Sequence, residues 1–363
     1  MRDDTVNFSA GPAGLPTPAL ERARDELLDY RGLGASIMEL SHRGPEYGAV
    51  HEEALGKMRV LLSVPDDFEV LFLQGGATGM FGMLPLNQLH DGGSADYVMT
   101  GVWSDKALAA AQKVGQARAV GSGAVDGAQV RVPGRDELDL DPAAKYLHFT
   151  SNNTIVGTQF SNYPVGRGVP LVADMSSDIL SRPIDFADFG MIYAGAQKNL
   201  GPSGVVVVMA RRDFLAQGSK NIPTIFQLAA HAEKGSLLHT PPTFSIYLLR
   251  NVLDWVEAEG GVLEMERRSR AKAERVYGAV EASDGFYRCR VEPAARSRMN
   301  AVFHLPTPEL DTRFVAEAAE RRLIGLKGHR TVGGIRASLY NAVRLEGVDR
   351  LVAFMADFAQ SHA

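Results

Sequence analysis

Two short apolar runs, Leu171–Ala173 and Met191–Ala194, are each followed by a polar residue: Asp174 directly after the first, Gln197–Lys198 shortly after the second. If both runs are strands of an open α/β sheet, those residues stand at its carboxyl edge, where such sheets bind ligands. A carboxylate and a primary amine brought together there match what pyridoxal phosphate needs. The lysine supplies an amine for a Schiff base, and the aspartate keeps the ring nitrogen protonated so that the ring draws electrons. Taken singly, the aspartate reads as a helix cap and the lysine as a solvated surface residue. The neighbours of Lys198 tip the balance towards chemistry. Ala194, Gly195 and Ala196 precede it and Gly201, Pro202 and Ser203 follow, small residues that let backbone approach a ligand.

A phosphate needs a cradle of N–H groups, and Gln74–Gly79 (QGGATG) offers a Gly-rich turn between an apolar run and a helical pattern. The start of a helix there, with the Thr78 hydroxyl, favours an anion through hydrogen bonds and the helix dipole. Trp103, in GVWSDKA after the next apolar run, is placed to stack on a planar ring, although core packing explains a tryptophan equally well. Asn152, Asn153 and Thr154 follow the run Tyr146–Phe149 at a further carboxyl edge, where Thr154 can hydrogen-bond a ring oxygen.

Several elements must position these groups. The apolar runs Val70–Leu73, Tyr97–Thr100, Tyr146–Phe149, Leu171–Ala173, Met191–Ala194 and Val205–Ala210 are spaced to leave room for helices, which predicts an α/β domain with a mostly parallel sheet. From Phe244 the period changes: Phe244, Leu248, Val252 and Trp255 share a helical stripe that Gly260–Gly261 stops. A charged helical pattern from Leu263 to about Ala282 follows. Ile335, Ala337 and Leu339 then alternate with Arg336, Ser338 and Tyr340, predicting a half-buried strand. Leu351, Phe354, Met355 and Phe358 recur at helical spacing near the end. A smaller α+β domain is expected to close the chain.

Composition narrows the function classes. With 363 residues, 45% hydrophobic and 22% charged, the chain can bury a large core and is not of the disordered class. A net charge of −5 supplies no general field for a nucleic-acid backbone. Cys289 is the only cysteine, so neither a disulfide framework nor a multi-cysteine metal site is expected, and no metal is assigned; a buried thiol in a reducing compartment is. No apolar run reaches membrane-span length, and Met1–Asn7 lacks the basic flank and apolar stretch of a signal peptide, so a soluble, cytoplasmic chain is expected.

The stretches NFSAGPAGLP (7–16), GLGASIMELSHRG (32–44), ILSRPIDFADFGMIYAGAQKNLGPSG (179–204), HTPPTF (239–244), RSRMN (296–300) and KGHRTVGGIRASLYNA (327–342) resemble, in order and along nearly the whole chain, the phosphoserine aminotransferase family of fold-type I pyridoxal-phosphate enzymes. The resemblance implies a large domain with a mostly parallel seven-stranded sheet and a smaller C-terminal α+β domain, drawn here as residues 16–258 and as residues 1–15 with 259–363. It implies Lys198 as the Schiff-base lysine, Asp174 as the partner of the ring nitrogen, Trp103 as the stacking residue and Thr154 as the phenolate contact. It also implies that Ala77, Thr78 and Gln197 bind the cofactor phosphate, joined by His239 and Thr240 of the neighbouring subunit of a homodimer. For substrate it implies Arg336 on the α-carboxylate, His42, Arg43, His329 and Arg330 on the distal anion, and Ser9 beside them. An arginine fork suits such carboxylates and phosphates. Two departures stand out: many members carry arginine at position 78 and asparagine at position 239.

The activity implied is reversible transfer of an amino group from L-glutamate to 3-phosphohydroxypyruvate, giving O-phospho-L-serine and 2-oxoglutarate, a step of L-serine biosynthesis. 4-Phosphohydroxythreonine, a substrate in pyridoxal phosphate biosynthesis, carries the same two anions and is left open. The competing readings on the same fold are an aminotransferase acting from serine or alanine to glyoxylate, and a pyridoxal-phosphate lyase. A protein that kept the fold without catalysis is the non-enzymatic alternative.

Overall fold

The computed structural model describes residues 2 and 4–362; Met1 and Asp3 of the expected N-terminal segment, and Ala363, lie outside them. Its centre is a seven-stranded sheet in the order Phe68–Leu73, Val206–Arg211, Phe189–Gly195, Leu171–Asp174, Leu147–Thr150, Ser94–Met99, Gln116–Ser122. Only Val206–Arg211 runs antiparallel to its neighbours, so the other six strands point their carboxyl ends to one edge.

Period-two alternation divides each central strand between two apolar layers. Val70, Phe72, Ala173, Ile192, Ala194, Val207 and Met209 face one layer, built with Met58, Leu62, Leu249, Leu253 and Val256. Leu71, Leu73, Val172, Met191, Tyr193, Val206, Val208 and Ala210 face the other, built with Met80, Phe81, Leu84 and Ala107. Helices Pro45–Leu62 and Thr243–Ala258 cover the first face, and Gly76–Gln88 and Val102–Ala111 the second. Burying a Val or Leu contributes roughly 1.5–3 kcal/mol, more than the ~1 kcal/mol span of strand propensity. Coverage on both faces therefore holds these short runs as strands.

A second core gathers Phe8, Val276, Phe303, Phe314, Ile335, Ala337, Leu339, Leu351, Phe354 and Phe358. It is formed by helices Gly261–Glu281, Pro308–Glu320 and Leu345–His362 and an antiparallel pair, Asn300–Phe303 with Ile335–Ser338. The chain start joins it, because Val6–Asn7 pairs in parallel with Leu323–Ile324. Helix Gly261–Glu281 links the cores: Val262 and Met265 pack in the first, Ala273, Val276 and Val280 in the second.

The half-buried strand expected at Ile335–Leu339 is corrected by the structure. Ser338 and Tyr340, on the supposedly wet face, are as buried as Ala337 and Leu339, because hydrogen bonds from Asn300 to both satisfy that polar side. Cys289 is only half-buried. No helix among the described residues is long and apolar enough to cross a membrane.

Candidate active site

Five parallel strands deliver the candidate residues to one edge. Phe68–Leu73 leads through Gly75 and Gly76, at φ +91° and +58°, into the helix that carries Ala77 and Thr78 in its first turn. Ser94–Met99 leads to Gly101 and the helix bearing Trp103, and Leu147–Thr150 to a small ribbon, Asn152–Asn153 with Thr158–Gln159, beside Thr154. Leu171–Asp174 ends on its aspartate, and Phe189–Gly195 runs into the turn holding Gln197 and Lys198.

Lys198 is the centre of the group. Its Nζ donates to Thr154 Oγ1 at 2.6 Å and lies 5.9 Å from the centroid of the Trp103 ring. Burial lowers its pKa to about 8; the Asp174 carboxylate opposes that shift, and the Arg336 charge adds to it. Gly11, at φ +136°, passes so close that a Cβ there would stand 3.3 Å from Lys198 Cγ, and Ala13 N donates to Gln197 O at 2.9 Å. The chain start therefore packs against the lysine turn.

Burial pushes the Asp174 carboxyl up, while bonding from Ser176 and the charge of Lys198 hold it down; Ser176 N donates to Asp174 Oδ1 at 2.9 Å. Beside it, Tyr193 is the register partner of Asp174, and its hydroxyl lies 2.8 Å from His148 Nε2. Burial lowers the His148 pKa to about 3, so the imidazole bonded to Tyr193 is neutral. A second buried carboxylate, Asp178, accepts from Gln159 Nε2 at 3.1 Å and from Ser151 Oγ, and faces Arg182 at 3.7 Å.

Arg336 reaches the group from the second core, its NH1 donating to Thr154 O at 3.4 Å. Burial, and after it the charges of Arg336, Arg330 and Lys106, lower the His329 pKa, so three cationic side chains stand near that imidazole. Lys106 Nζ lies 4.9 Å over the Trp103 ring. Ser9 is half-buried on the chain start, where its N–H donates to Asn7 Oδ1 at 3.0 Å.

The structure thus brings together Lys198, Thr154, Asp174, Trp103 and Arg336, with His329 and Arg330 beside Arg336. Ala77 and Thr78 lie at the same sheet edge, with Ala77 against the layer that also holds Trp103. His42, Arg43, His239 and Thr240 form no hydrogen bond or ion pair with that group among the described residues; His239 packs instead on His231 at 5.9 Å. His42 Nε2 and His239 Nδ1 are buried atoms without a hydrogen-bond partner among the described residues.

Sequence reasoning missed Lys106 and the close approaches made at Gly11 and Gly101, and named Asn153 only as a residue at a carboxyl edge. Lys106 is visible only through its three-residue spacing from Trp103 on one helix face. Gly101 sits at φ +132°, and a Cβ on it would lie 2.7 Å from Asn153 Nδ2, a contact between segments fifty residues apart. This group of residues fits pyridoxal phosphate on its own terms. Among the described residues, Trp103 Nε1, Asn153 Nδ2 and Arg336 Nε are buried without a hydrogen-bond partner, a lysine amine of lowered pKa stands beside a buried carboxylate, and a helix start with no side-chain cap lies at the same edge.

The family model described as aminotransferase class-V matches residues 5–351. The phosphoserine aminotransferase of Geobacillus kaustophilus (strain HTA426) is 51% identical to this chain over 98% of it and 99% of its own length. Among solved structures, the phosphoserine aminotransferase from Bacillus circulans subsp. alkalophilus is 47% identical, with a TM-score of 0.96 and 99% of both chains covered. The PLP-bound phosphoserine aminotransferase from Trichomonas vaginalis is 38% identical, with a TM-score of 0.93 over 97% of this chain and 99% of its own. This chain therefore belongs to the class-V aminotransferases and, among them, to the phosphoserine aminotransferase family.

Proposed function

We propose that this chain, with pyridoxal phosphate as cofactor, transfers the amino group of L-glutamate to 3-phosphohydroxypyruvate, forming O-phospho-L-serine and 2-oxoglutarate. The observation that carries this reading is Lys198 Nζ, held 2.6 Å from Thr154 Oγ1 with its pKa lowered to about 8, beside Asp174 and Arg336. When bound, the cofactor supplies an electron-accepting ring and a carbonyl carbon that carries the amino group between the two substrates.

The chain's own residues do the rest. Lys198 anchors the cofactor and, once displaced, takes and returns a proton at Nζ, a task suited to an amine whose pKa lies near the working pH. Thr154 orients that amine and the ring oxygen. Asp174 holds a proton on the ring nitrogen, and Trp103 covers a ring face. Ala77, Thr78 and Gln197 hold the phosphate, Thr78 by its hydroxyl in place of a guanidinium. Arg336 grips the α-carboxylate common to all four substrates, and His329 and Arg330 receive the distal phosphate or carboxylate, with Ser9 on the neighbouring chain start.

The chain acts as a homodimer with shared sites. His42 and Arg43 would join the distal-anion site, and His239 and Thr240 of a second copy would join the phosphate site. The unpartnered His42 Nε2 and His239 Nδ1 support this, as do the exposed Leu28, Leu33 and Met38 just ahead of His42 in the chain. The two separate cores support a division into residues 16–258 and residues 1–15 with 259–363. The lone cysteine suits a cytoplasmic location. Burial pushes the Cys289 thiol up, away from the thiolate that a sulfur-carrying lyase would need.

A visible-absorption titration tests the substrate. L-Phosphoserine should abolish the cofactor's absorption band at concentrations where L-serine barely alters it. Equal responses to both would transfer the assignment to a serine or alanine aminotransferase.

A further inference from the structure

Between the two cores lies a buried seam of side-chain amides and hydroxyls outside the residues assigned above. Asn152 Nδ2 donates to Ser177 Oγ at 2.9 Å and to Asn300 Oδ1 at 2.8 Å, and Asn152 Oδ1 accepts from Ser297 Oγ. Asn300 Nδ2 donates to Ser338 Oγ at 3.0 Å and to Tyr340 OH at 3.2 Å. Tyr340 OH donates onward to Ala10 O at 2.8 Å, on the segment that packs against Lys198. All of these residues except Ala10 are buried. Each amide thus uses both N–H groups and its oxygen, so neither can turn without stranding a buried group.

The seam touches the site through short backbone offsets. Asn152 stands two residues before Thr154, Ser177 three after Asp174, and Ser338 two after Arg336. Asn300 and Ser338 are also register partners in the antiparallel pair that carries Arg336. Close approach locks the same place: Gly157, at φ +83°, leaves only 2.8 Å between a would-be Cβ and Asn300 O, and Ser297 N donates to Gly157 O at 2.8 Å. Among the described residues the one direct hydrogen bond between Arg336 and Thr154 is the long one at 3.4 Å, too weak to set their separation alone.

We infer that Asn152 and Asn300 are positioning residues that fix Arg336, on the second core, relative to Thr154 and Lys198, on the first, and so set the grip on the substrate α-carboxylate. An apolar seam would bury as much surface, but hydrophobic contact is non-directional and would not hold one register. The inference rests on the reading of Arg336 as the carboxylate residue.

The test uses the holoenzyme and compares Asn300→Ala, Ser338→Ala, Arg336→Ala and Tyr287→Phe. The last removes a buried hydrogen bond to Met355 O inside the second core, away from the seam. Asn300→Ala should retain the cofactor's absorption band and raise KM for phosphoserine and 2-oxoglutarate by the same factor, since one guanidinium serves both. That factor should be roughly tenfold to a hundredfold, the size of one charge-assisted hydrogen bond or of a misplaced carboxylate, with kcat changed far less. Ser338→Ala, which strands one N–H of Asn300, should raise both KM values less and stands in if Asn300→Ala fails to fold. Tyr287→Phe should lower Tm with both KM values unchanged. Unchanged KM values in Asn300→Ala and Ser338→Ala, beside raised ones in Arg336→Ala, overturn the positioning role alone. Unchanged KM in Arg336→Ala overturns the reading of Arg336 and the inference with it.

Discussion

Lys198 is the residue on which the chemistry turns, and its environment makes a pH-dependent statement. Its ordinary value of 10.5 is lowered to about 8, chiefly by burial. Between those values the unfolded chain holds a proton that the folded one has lost, so the contribution of Lys198 to the stability of the cofactor-free protein improves as pH rises through that window and is poorest below about 8. The same shift governs reactivity. At pH 7 about a tenth of the amine is neutral, and above pH 9 nearly all is. The rate at which the cofactor-free protein takes up pyridoxal phosphate should therefore rise with pH through about 8 and then level off, as followed by absorbance. A rate still climbing steeply at pH 10 would show an unperturbed lysine. Lys198 and Asp174 were legible in the sequence because residue type, a preceding apolar run and small neighbours coincide there. Lys106 was not, since a lysine three residues from a tryptophan is an ordinary helix-surface pattern.

At the scale of elements, the short turns after the strands carry the site. The helix Val102–Ala111 starts at Gly101, where φ is +132° and Asn153 fills the space a side chain would need. Gly101→Ala should cost about 1–3 kcal/mol for the backbone conformation alone, read from denaturant unfolding, and should weaken cofactor retention by displacing Trp103. Full stability with normal retention would mean that the turn is not constrained. Strand positions were readable from apolar runs, and the helix after Gly261 from its period. The burial of Ser338 and Tyr340 was not, because an alternating pattern reads as one wet face unless the partner is known. That partner, Asn300, lies 38 and 40 residues away in the chain.

At the scale of the molecule, six strands that point one way gather residues from five segments, and a second core adds Arg336 from the far end of the chain. The broad architecture follows from the order of apolar runs. The seam between cores does not, because its asparagines and serines carry no signal until the fold places them together. The arrangement also singles out one of two lysines, among the described residues, whose pKa is lowered. Lys272, on the helix that joins the cores, is buried with its pKa lowered to about 7, but its Nζ donates to Tyr340 O at 2.7 Å and Val343 O at 3.0 Å, away from the sheet edge. A lowered pKa alone therefore does not identify the cofactor lysine; position at the carboxyl edge does. The most direct measurement is borohydride reduction of the holoprotein followed by peptide mass mapping. The account expects pyridoxyl-phosphate fixed on Lys198 alone, and label on Lys272, on another lysine or on none would contradict it.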